Sequence, residues 1–570
     1  MSRVIWSPTR YRRFSLGDII ILLFIGSIIY AISSLNTIYS KPTEVISLDL
    51  SPQKLPLYSL FSLLRMILAY FISLIFTIVY AYTAAYKKSL EKILIPLLDI
   101  LQSIPVLSFL PPVFMAVISM FPGSKLGLEI TSIILIFTGQ VWNMVFSFYQ
   151  SLISIPRDLK EAAQLFKLNP WQRFWYLELP YSAIGLIWNS MMSWAGGWFF
   201  LMACEMFTLT NQNFVLPGLG SYLSFAALKG DLLKIFYGLF ALITVIILLD
   251  QLVWRPLLSW SQKFKVEYVQ AEEYYESKVL LWYRRSRIFD LLYKKIILPL
   301  RERLEILFIS YYDKKEKQEI KTSKISKLLN LIVSTILIFL VLRGFIGLLK
   351  LIINLPLNMW KDIIYSAFLT LLRVTTAVLI ALSWTLPLGV RIGMNPKLSK
   401  VIQPIVQIVA SVPATAIFPV IVMYLINLPG GLNIASIVLM LLGTQWYLLF
   451  NIIAGGMSIP NDLIEVSELL KLSKIDKWKI LIIPSILPFL VTGGITAMGG
   501  AFNASIVSEY IEFHNQIYKI KGLGALITEA SSKGNNSLLA ASTLVMALIV
   551  VTINRLFWKR LFKKSEELLS

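Results

Sequence analysis

The sequence predicts an all-α polytopic membrane protein with about twelve transmembrane helices in two tandem sets of six. Three observations carry this reading. The 570 residues are 57% hydrophobic with a mean hydropathy of +0.71, too apolar for a single soluble core. The apolar residues gather in runs of about 20, the length that crosses a ~30 Å hydrocarbon core as a helix, without the strict alternation of a barrel strand. The pattern of polar and helix-breaking residues in the first half returns in the second, 304 or 308 residues later.

Taken in order, the spans of the first half fall near 18–36, 57–86, 93–119, 127–153, 181–207 and 233–255. Those of the second fall near 328–348, 361–389, 401–426, 432–457, 484–508 and 537–557. This divides the chain into a first repeat at 1–256, a charged linker at 257–327 and a second repeat at 328–570. The basic N-terminus precedes a span with no small-residue cleavage site, which reads as a retained first helix.

Orientation follows from Lys and Arg. Arg3, Arg10, Arg12 and Arg13 precede the first span; Lys87, Lys88 and Lys92 separate the second and third. Arg391, Lys397 and Lys400 occupy the matching loop of the second half, and Arg555, Lys559, Arg560, Lys563 and Lys564 follow the last span. All fall on one side, so both termini are expected in the cytoplasm. The formal net charge of +21 reads as this positive-inside bias and not as a nucleic-acid surface. The bilayer is the expected partner of the apolar faces. In the linker, Y-R-R-S-R (283–287), Y-K-K (293–295) and D-K-K-E-K (313–317) are basic clusters. The segment 288–309 is amphipathic; it reads either as a solvated connector or as a helix on the anionic inner leaflet.

Enzyme chemistry finds no support. Cys204 is the only cysteine and His514 the only histidine, far apart in sequence. No intrachain disulfide, metal-ligand cluster or G-x-x-x-x-G-K-[ST] phosphate loop is present, so no catalytic residue, metal or cofactor is assigned to this chain.

The repeat keeps register over most of both halves. Arg65, Pro96 and Pro105 match Arg373, Pro404 and Pro413, 308 residues on. After a four-residue difference in one loop, Trp142, Gly196, Glu205, G-L-G at 218–220, Lys229-Gly230 and Trp254 match Trp446, Gly500, Glu509, G-L-G at 522–524, Lys533-Gly534 and Trp558. An even number of spans gives both copies one orientation, related by a pseudo-two-fold along the membrane normal with a pathway between them.

One polar segment is also duplicated on the basic side: S-I-P-R-D-L-K-E-A-A-Q-L-F-K-L at 154–168 and S-I-P-N-D-L-I-E-V-S-E-L-L-K-L at 458–472. Pro156 and Pro460 suit a helix start, and Asp158, Glu161, Asp462 and Glu465 favour its dipole. Leu159, Ala162, Ala163 and Phe166, like Leu463, Val466 and Leu470, line one apolar face, suited to a groove on a partner. Lys167 and Lys471 follow.

These segments, 154–180 and 458–484, resemble the EAA loops of permease subunits of binding-protein-dependent ABC importers. Glu161, Ala162, Ala163, Leu177, Leu179 and Pro180 stand at the family spacing, and Glu465, Leu481, Ile483 and Pro484 follow it more loosely. Lys167 and Lys471 stand where the family has glycine for a tight turn. S-V-P-A-T-A-I-F-P (411–419) and V-S-E-Y followed by G-L-G (507–510, 522–524) are similar to the nitrate/sulfonate/taurine branch. The resemblance implies two tandem six-helix type I importer repeats in a plasma or inner membrane. It implies two separate ABC ATPase subunits carrying ATP and Mg at the cytoplasmic loops, an extracytoplasmic substrate-binding protein, and a small anion such as nitrate, sulfonate, taurine or bicarbonate. The implied docking residues are Asp158, Glu161, Ala162, Ala163, Phe166, Lys167, Asp462, Glu465, Leu470 and Lys471.

Candidate path residues are Arg65, Gln140, Asn189, Glu205, Arg373, Gln445, Asn503 and Glu509, with Trp142 and Trp446. An arginine in hydrocarbon costs ~2.5–3.5 kcal/mol on insertion scales, so a symmetric pair needs a reason. Arg65 and Arg373 read either as attracting an anion or as snorkelling or pairing within the bundle, and Glu205 and Glu509 either as their partners or as contacts for the binding protein. Gly196, Gly197, Gly499 and Gly500 read as sites of close helix packing. The alternative class is an ion-coupled secondary transporter. Its best candidate carboxylate, Asp99, has Gln407 in the matching position.

Overall fold

The computed structural model describes residues 48–264, 277–317 and 346–561, leaving out 104, 122–124, 210–211, 265–276, 354, 460, 514–515 and 559; scattered positions in 16–30 and 335–343 are also described. The expected first spans of both halves, 18–36 and 328–348, lie largely outside the described residues.

In the first half, α1 (Leu55–Tyr86) is followed by α2 (Lys88–Ser103) and α3 (Leu110–Met120), then α4 (Lys125–Ile153) and the short α5 (Arg157–Leu165). Next come α6 (Leu179–Glu205), the hairpin β1 (Met206–Leu209) and β2 (Gln212–Val215), α7 (Leu219–Leu228) and α8 (Leu232–Leu249). The linker contributes α9 (Lys278–Arg285), α10 (Arg287–Leu292) and α11 (Leu298–Lys317). The second half repeats the series as α12 (Leu357–Gly393), α13 (Pro396–Ser411), α14 (Ala414–Leu425), α15 (Gly431–Met457), α16 (Asn461–Leu469), α17 (Ile483–Ser508), β3 (Tyr510–Phe513), β4 (Gln516–Lys519), α18 (Leu523–Ser532) and α19 (Asn536–Ile553).

Among the described residues, seven helices are long and apolar enough to cross a membrane, or eight if the bent pair α13–α14 counts as one span. The 27 residues of α6 also have spanning length, diluted by Asn189, Ser190, Ser193, Gly196 and Gly197. The third span of each half departs from expectation. It is a pair of shorter helices, broken before Pro105 in the first half and at Val412–Pro413 in the second, where α13 and α14 meet at 74°. Proline removes an amide donor and restricts the residue before it, so the helix stops there although the flanking residues are as apolar as any span. The sequence reading also contained no strands. Each half has a four-residue antiparallel hairpin, with Met206 opposite Val215 and Tyr510 opposite Lys519.

The cores explain why the broken pairs matter. In each half the fourth span packs most extensively, on the second and on the fifth: α4 on α1 and α6, and α15 on α12 and α17. The breaks let each half send residues into the other. Ala416 of α14 is buried in the first-half cluster around Trp198 and Tyr222. Val106, Leu107 and Leu110 are buried in the second-half cluster around Phe502. Leu107 also donates its amide to Asn503 Oδ1 at 3.4 Å. The two halves interlock reciprocally, as a pseudo-two-fold requires.

Candidate functional site

The duplicated polar segments fold as helix–turn–helix units at one end of the bundle. In the first, the Leu168 amide donates to Ala163 O and the Lys167 amide to Gln164 O, at 3.1 and 2.9 Å. In the second, Leu472 donates to Ser467 O and Lys471 to Glu468 O, at 3.1 and 3.0 Å. This is the Schellman closure, which puts the residue after the C-cap in the left-handed region. Lys167 and Lys471 sit there, at φ 47° and 49°. They hold the glycine conformation at a cost of ~1–2 kcal/mol each, so the turn survives the change of residue. Asn169 and Ser473 then cap the next helical turn by accepting the amides of Gln172 and Asp476.

The expected apolar face is divided by this turn in the first loop, whereas in the second Leu463, Val466 and Leu470 are all exposed. Ala163 and its counterpart Ser467 are buried, and Leu159 packs inward. Leu165 and Phe166 instead stand 84% and 78% exposed, and Leu469 and Leu470 81% and 67%. Phe166 is the C-cap, beyond the helical register that aligned it with Ala162. Asp158, Glu161, Lys167, Glu465 and Lys471 are also exposed. The Asp462 side chain lies outside the described residues.

At the opposite end, the two arginines, the two glutamates and the two G-L-G motifs form one device, made twice. Glu205 Oε1 accepts from Arg65 Nη1 and Ser62 Oγ, and its Oε2 accepts the Gly220 amide, all at 2.6 Å. Glu509 accepts from Arg373 Nη1 at 2.7 Å, Thr370 Oγ1 at 2.8 Å and the Gly524 amide at 2.8 Å. Both carboxylates are fully buried. Each faces the first turn of α7 or α18, whose free amides and dipole favour a negative group. The motif's first glycine is needed for close approach: a Cβ on Gly218 or Gly522 would run into the Glu205 or Glu509 carboxylate. The device anchors the helix after each hairpin to the second span.

Ser62 and Pro217 O in the first copy correspond to Thr370 and Lys521 O in the second, and one further partner changes its charge. Glu129 grips Arg65 with both oxygens, at 2.6 Å to Nε and 2.7 Å to Nη2. Its counterpart Asn433 gives Arg373 Nε a neutral acceptor at 3.1 Å.

Among the described residues, two sizeable cavities lie between the halves. One of about 130 Å³ is lined by Trp142, Asn143, Gln407, Trp446, Tyr447 and Asn503 among others. The second, about 290 Å³, lies beside the hairpins between α7 and α18, where Met206, Thr415, Tyr510 and Glu512 contribute. Glu512 is the only charged residue among the described lining of either cavity.

Of the eight expected path residues, Asn503 lines the smaller cavity, together with Trp142 and Trp446. Arg65, Glu205, Arg373 and Glu509 lie in the buried ion pairs. Gln140 is buried with its amide 3.9 Å from Met66 Sδ, and Asn189 donates to Ser147 Oγ at 2.9 Å. Gln445 is 7% exposed and outside the lining. Sequence reasoning missed Asn143, Gln407 and Tyr447 as lining residues. Their signal in the sequence is position alone: Asn143 and Tyr447 adjoin the matched Trp142 and Trp446, and Gln407 stands where the first half has Asp99.

Two interlocked membrane bundles, a cavity lined by both and duplicated exposed loops at one end define a two-fold translocation protein. The chain matches the family described as "Binding-protein-dependent transport system inner membrane component" twice, over residues 73–253 and 385–557, more than half its length. It belongs to that family and carries two copies of its domain. It is 27% identical over 224 residues to the nitrate import permease protein NrtB of Synechococcus elongatus, covering 37% of this chain and 76% of that one. It is 30% identical over 171 residues to the bicarbonate transport system permease protein CmpB of a Synechocystis species, covering 30% and 58%. With the taurine transport system permease protein TauC of Escherichia coli it shares 23% identity over 192 residues, covering 34% and 65%. Each match takes in about a third of this chain and most of the relative.

Proposed function

We propose that this chain supplies both halves of the pathway of an ATP-driven importer for a small anion. Two ATPase subunits dock on the loops at 154–180 and 458–484 from the cytoplasm, and an extracytoplasmic binding protein delivers the substrate at the hairpin end. The chain sits in the plasma membrane with both termini inside. The observation that carries this reading is the pair of outward-facing loop helices, whose exposed Leu165–Phe166 and Leu469–Leu470 are ringed by exposed acidic and basic groups. Large exposed apolar groups at matching places on two repeats mark an interface.

The anion rests on the relatives that carry nitrate, bicarbonate and taurine in their names. The cavity is consistent in scale: about 130 Å³ is far below the ~300 Å³ at which drug-sized ligand pockets begin. With no fixed cation in its described lining, it would hold an anion through neutral N–H and O–H donors, weakly enough to release it. Selection among anions then falls mainly to the binding protein. An ion-coupled mechanism is disfavoured by family membership.

The test is Glu161→Lys combined with Glu465→Lys in the transporter reconstituted with its ATPase subunits and binding protein. Membrane insertion should be retained while ATP-driven uptake is lost. Full ATP-driven uptake by the double variant would overturn the docking assignment. The substrate is read by thermal shift of the binding protein against nitrate, bicarbonate, sulfonates and taurine.

A further inference from the structure

The repeat is broken at one place where the linker touches it. The Phe308 ring of α11 stacks on Trp171, in the turn after the first loop helix, with centroids 4.1 Å apart and planes 13° from parallel. The Tyr176 hydroxyl donates to Glu305 at 3.2 Å. The positions matching Trp171 and Tyr176 in the second loop are Ile475 and Ile480, and both are exposed, at 65% and 64%. The residues that contact the linker helix exist only in the copy it contacts.

The first loop is also tied down from behind. Arg173 Nε pairs with buried Glu178 at 2.6 Å, Tyr86 donates to the same carboxylate at 2.5 Å, and the guanidinium lies 4.6 Å over the Tyr86 ring. The second loop has Lys477, Ile482 and Met394 at these places. The linker is held in turn by Asp18, whose carboxylate accepts from Ser286 Oγ at 2.6 Å and the Ile288 amide at 2.7 Å.

One face of α11 rests on the loop, and the other carries Leu300, Ile306 and Leu307, between 57% and 67% exposed. We infer that this face, brought beside the first loop by the Trp171–Phe308 contact, forms with Leu165 and Phe166 a composite docking surface for one of the two ATPase subunits, so that the two subunits bind at unequal sites. The inference rests on the proposed function, which puts an ATPase on that loop. Charge favours a protein over the bilayer as occupant. Within 298–309, Arg301 and Arg303 are balanced by Glu302 and Glu305, whereas attraction to an anionic leaflet needs an excess of basic residues. That excess lies to either side of this segment, at Arg284, Arg285, Arg287, Lys294 and Lys295 before it and at Lys314, Lys315 and Lys317 after it.

The experiment places a photo-crosslinking amino acid at Leu307 in the full chain, in membranes, assembled with its ATPase subunits. The same probe at Phe166 and at Leu470 reports the two loops. The expected result is capture of an ATPase subunit from all three positions. Trp171→Ala with Phe308→Ala should abolish the capture from Leu307 and leave that from Leu470 unchanged. Capture of lipid, or of nothing, from Leu307 while Phe166 captures the ATPase would overturn the composite site and leave the loop assignment standing. Failure at Phe166 and Leu470 as well would overturn both.

Discussion

The charged Glu129 on Arg65, against the neutral Asn433 on Arg373, makes a quantitative prediction. Glu509→Ala leaves Arg373 buried against two neutral acceptors, Asn433 Oδ1 at 3.1 Å and Lys521 O at 2.8 Å. Removing one member of a buried pair in this way costs about 3–5 kcal/mol. Glu205→Ala leaves Arg65 still gripped by Glu129 through two bonds. What remains is one lost charge-assisted bond and the stranded Gly220 amide and Ser62 hydroxyl, about 2–3 kcal/mol. The second-half variant should therefore be the less stable by about 1–2 kcal/mol, although both glutamates are equally buried. The assay is unfolding of the purified chain in detergent, followed by near-ultraviolet circular dichroism. Glu129→Asn in the Glu205→Ala background should remove the difference, and Asn433→Glu in the Glu509→Ala background should reduce it from the other side. Equal losses in the two single variants, or a larger loss for Glu205→Ala, would refute the claim that the second carboxylate shields Arg65.

Other expectations follow from the same geometry. Lys167→Gly and Lys471→Gly relieve the left-handed strain and should slow amide exchange at the turn, with up to ~1 kcal/mol gained per site, whereas Lys→Val at either should speed exchange. Gly218→Ala and Gly522→Ala drive a methyl into a buried carboxylate and should lower the unfolding midpoint, while Gly499→Ala, whose Cβ meets nothing within 4 Å, should leave it unchanged. Glu529 takes a hydrogen bond from Lys533 that holds its carboxyl below the ordinary value. Its contribution to anchoring β4 through Lys519 is present above that ordinary value and lost as pH falls through the lowered one. Glu529→Gln should remove that acid limb from a pH series of unfolding midpoints.

Those predictions draw on features of unequal legibility in the sequence. The long spans were legible, because apolar runs and basic loops report directly on the bilayer; 57–86 and 432–457 are observed as Leu55–Tyr86 and Gly431–Met457. The loop helices were legible because proline and acidic first turns act locally. The turn between them was not, since a lysine at left-handed φ looks like any other lysine until Leu168 and Leu472 close the backbone bonds. The broken third span escaped because hydropathy sees the same apolar run on both sides of Pro105 and Pro413. The hairpins escaped because four-residue strands offer too little pattern. Arg65 and Arg373 carried two readings, which differ only in what lies within hydrogen-bond reach of the guanidinium, and that depends on residues 60 to 152 positions away.

The covalent joining of the halves has a consequence for how the pathway can change. In a pore assembled from two copies of one polypeptide, every replacement appears on both walls at once. Here Phe199 faces the cavity where its counterpart is Asn503, and Asn143 where its counterpart is Tyr447. A single codon alters one wall and leaves the other intact, so lateral asymmetry in the passage is heritable, and one side can be retuned without risking the other.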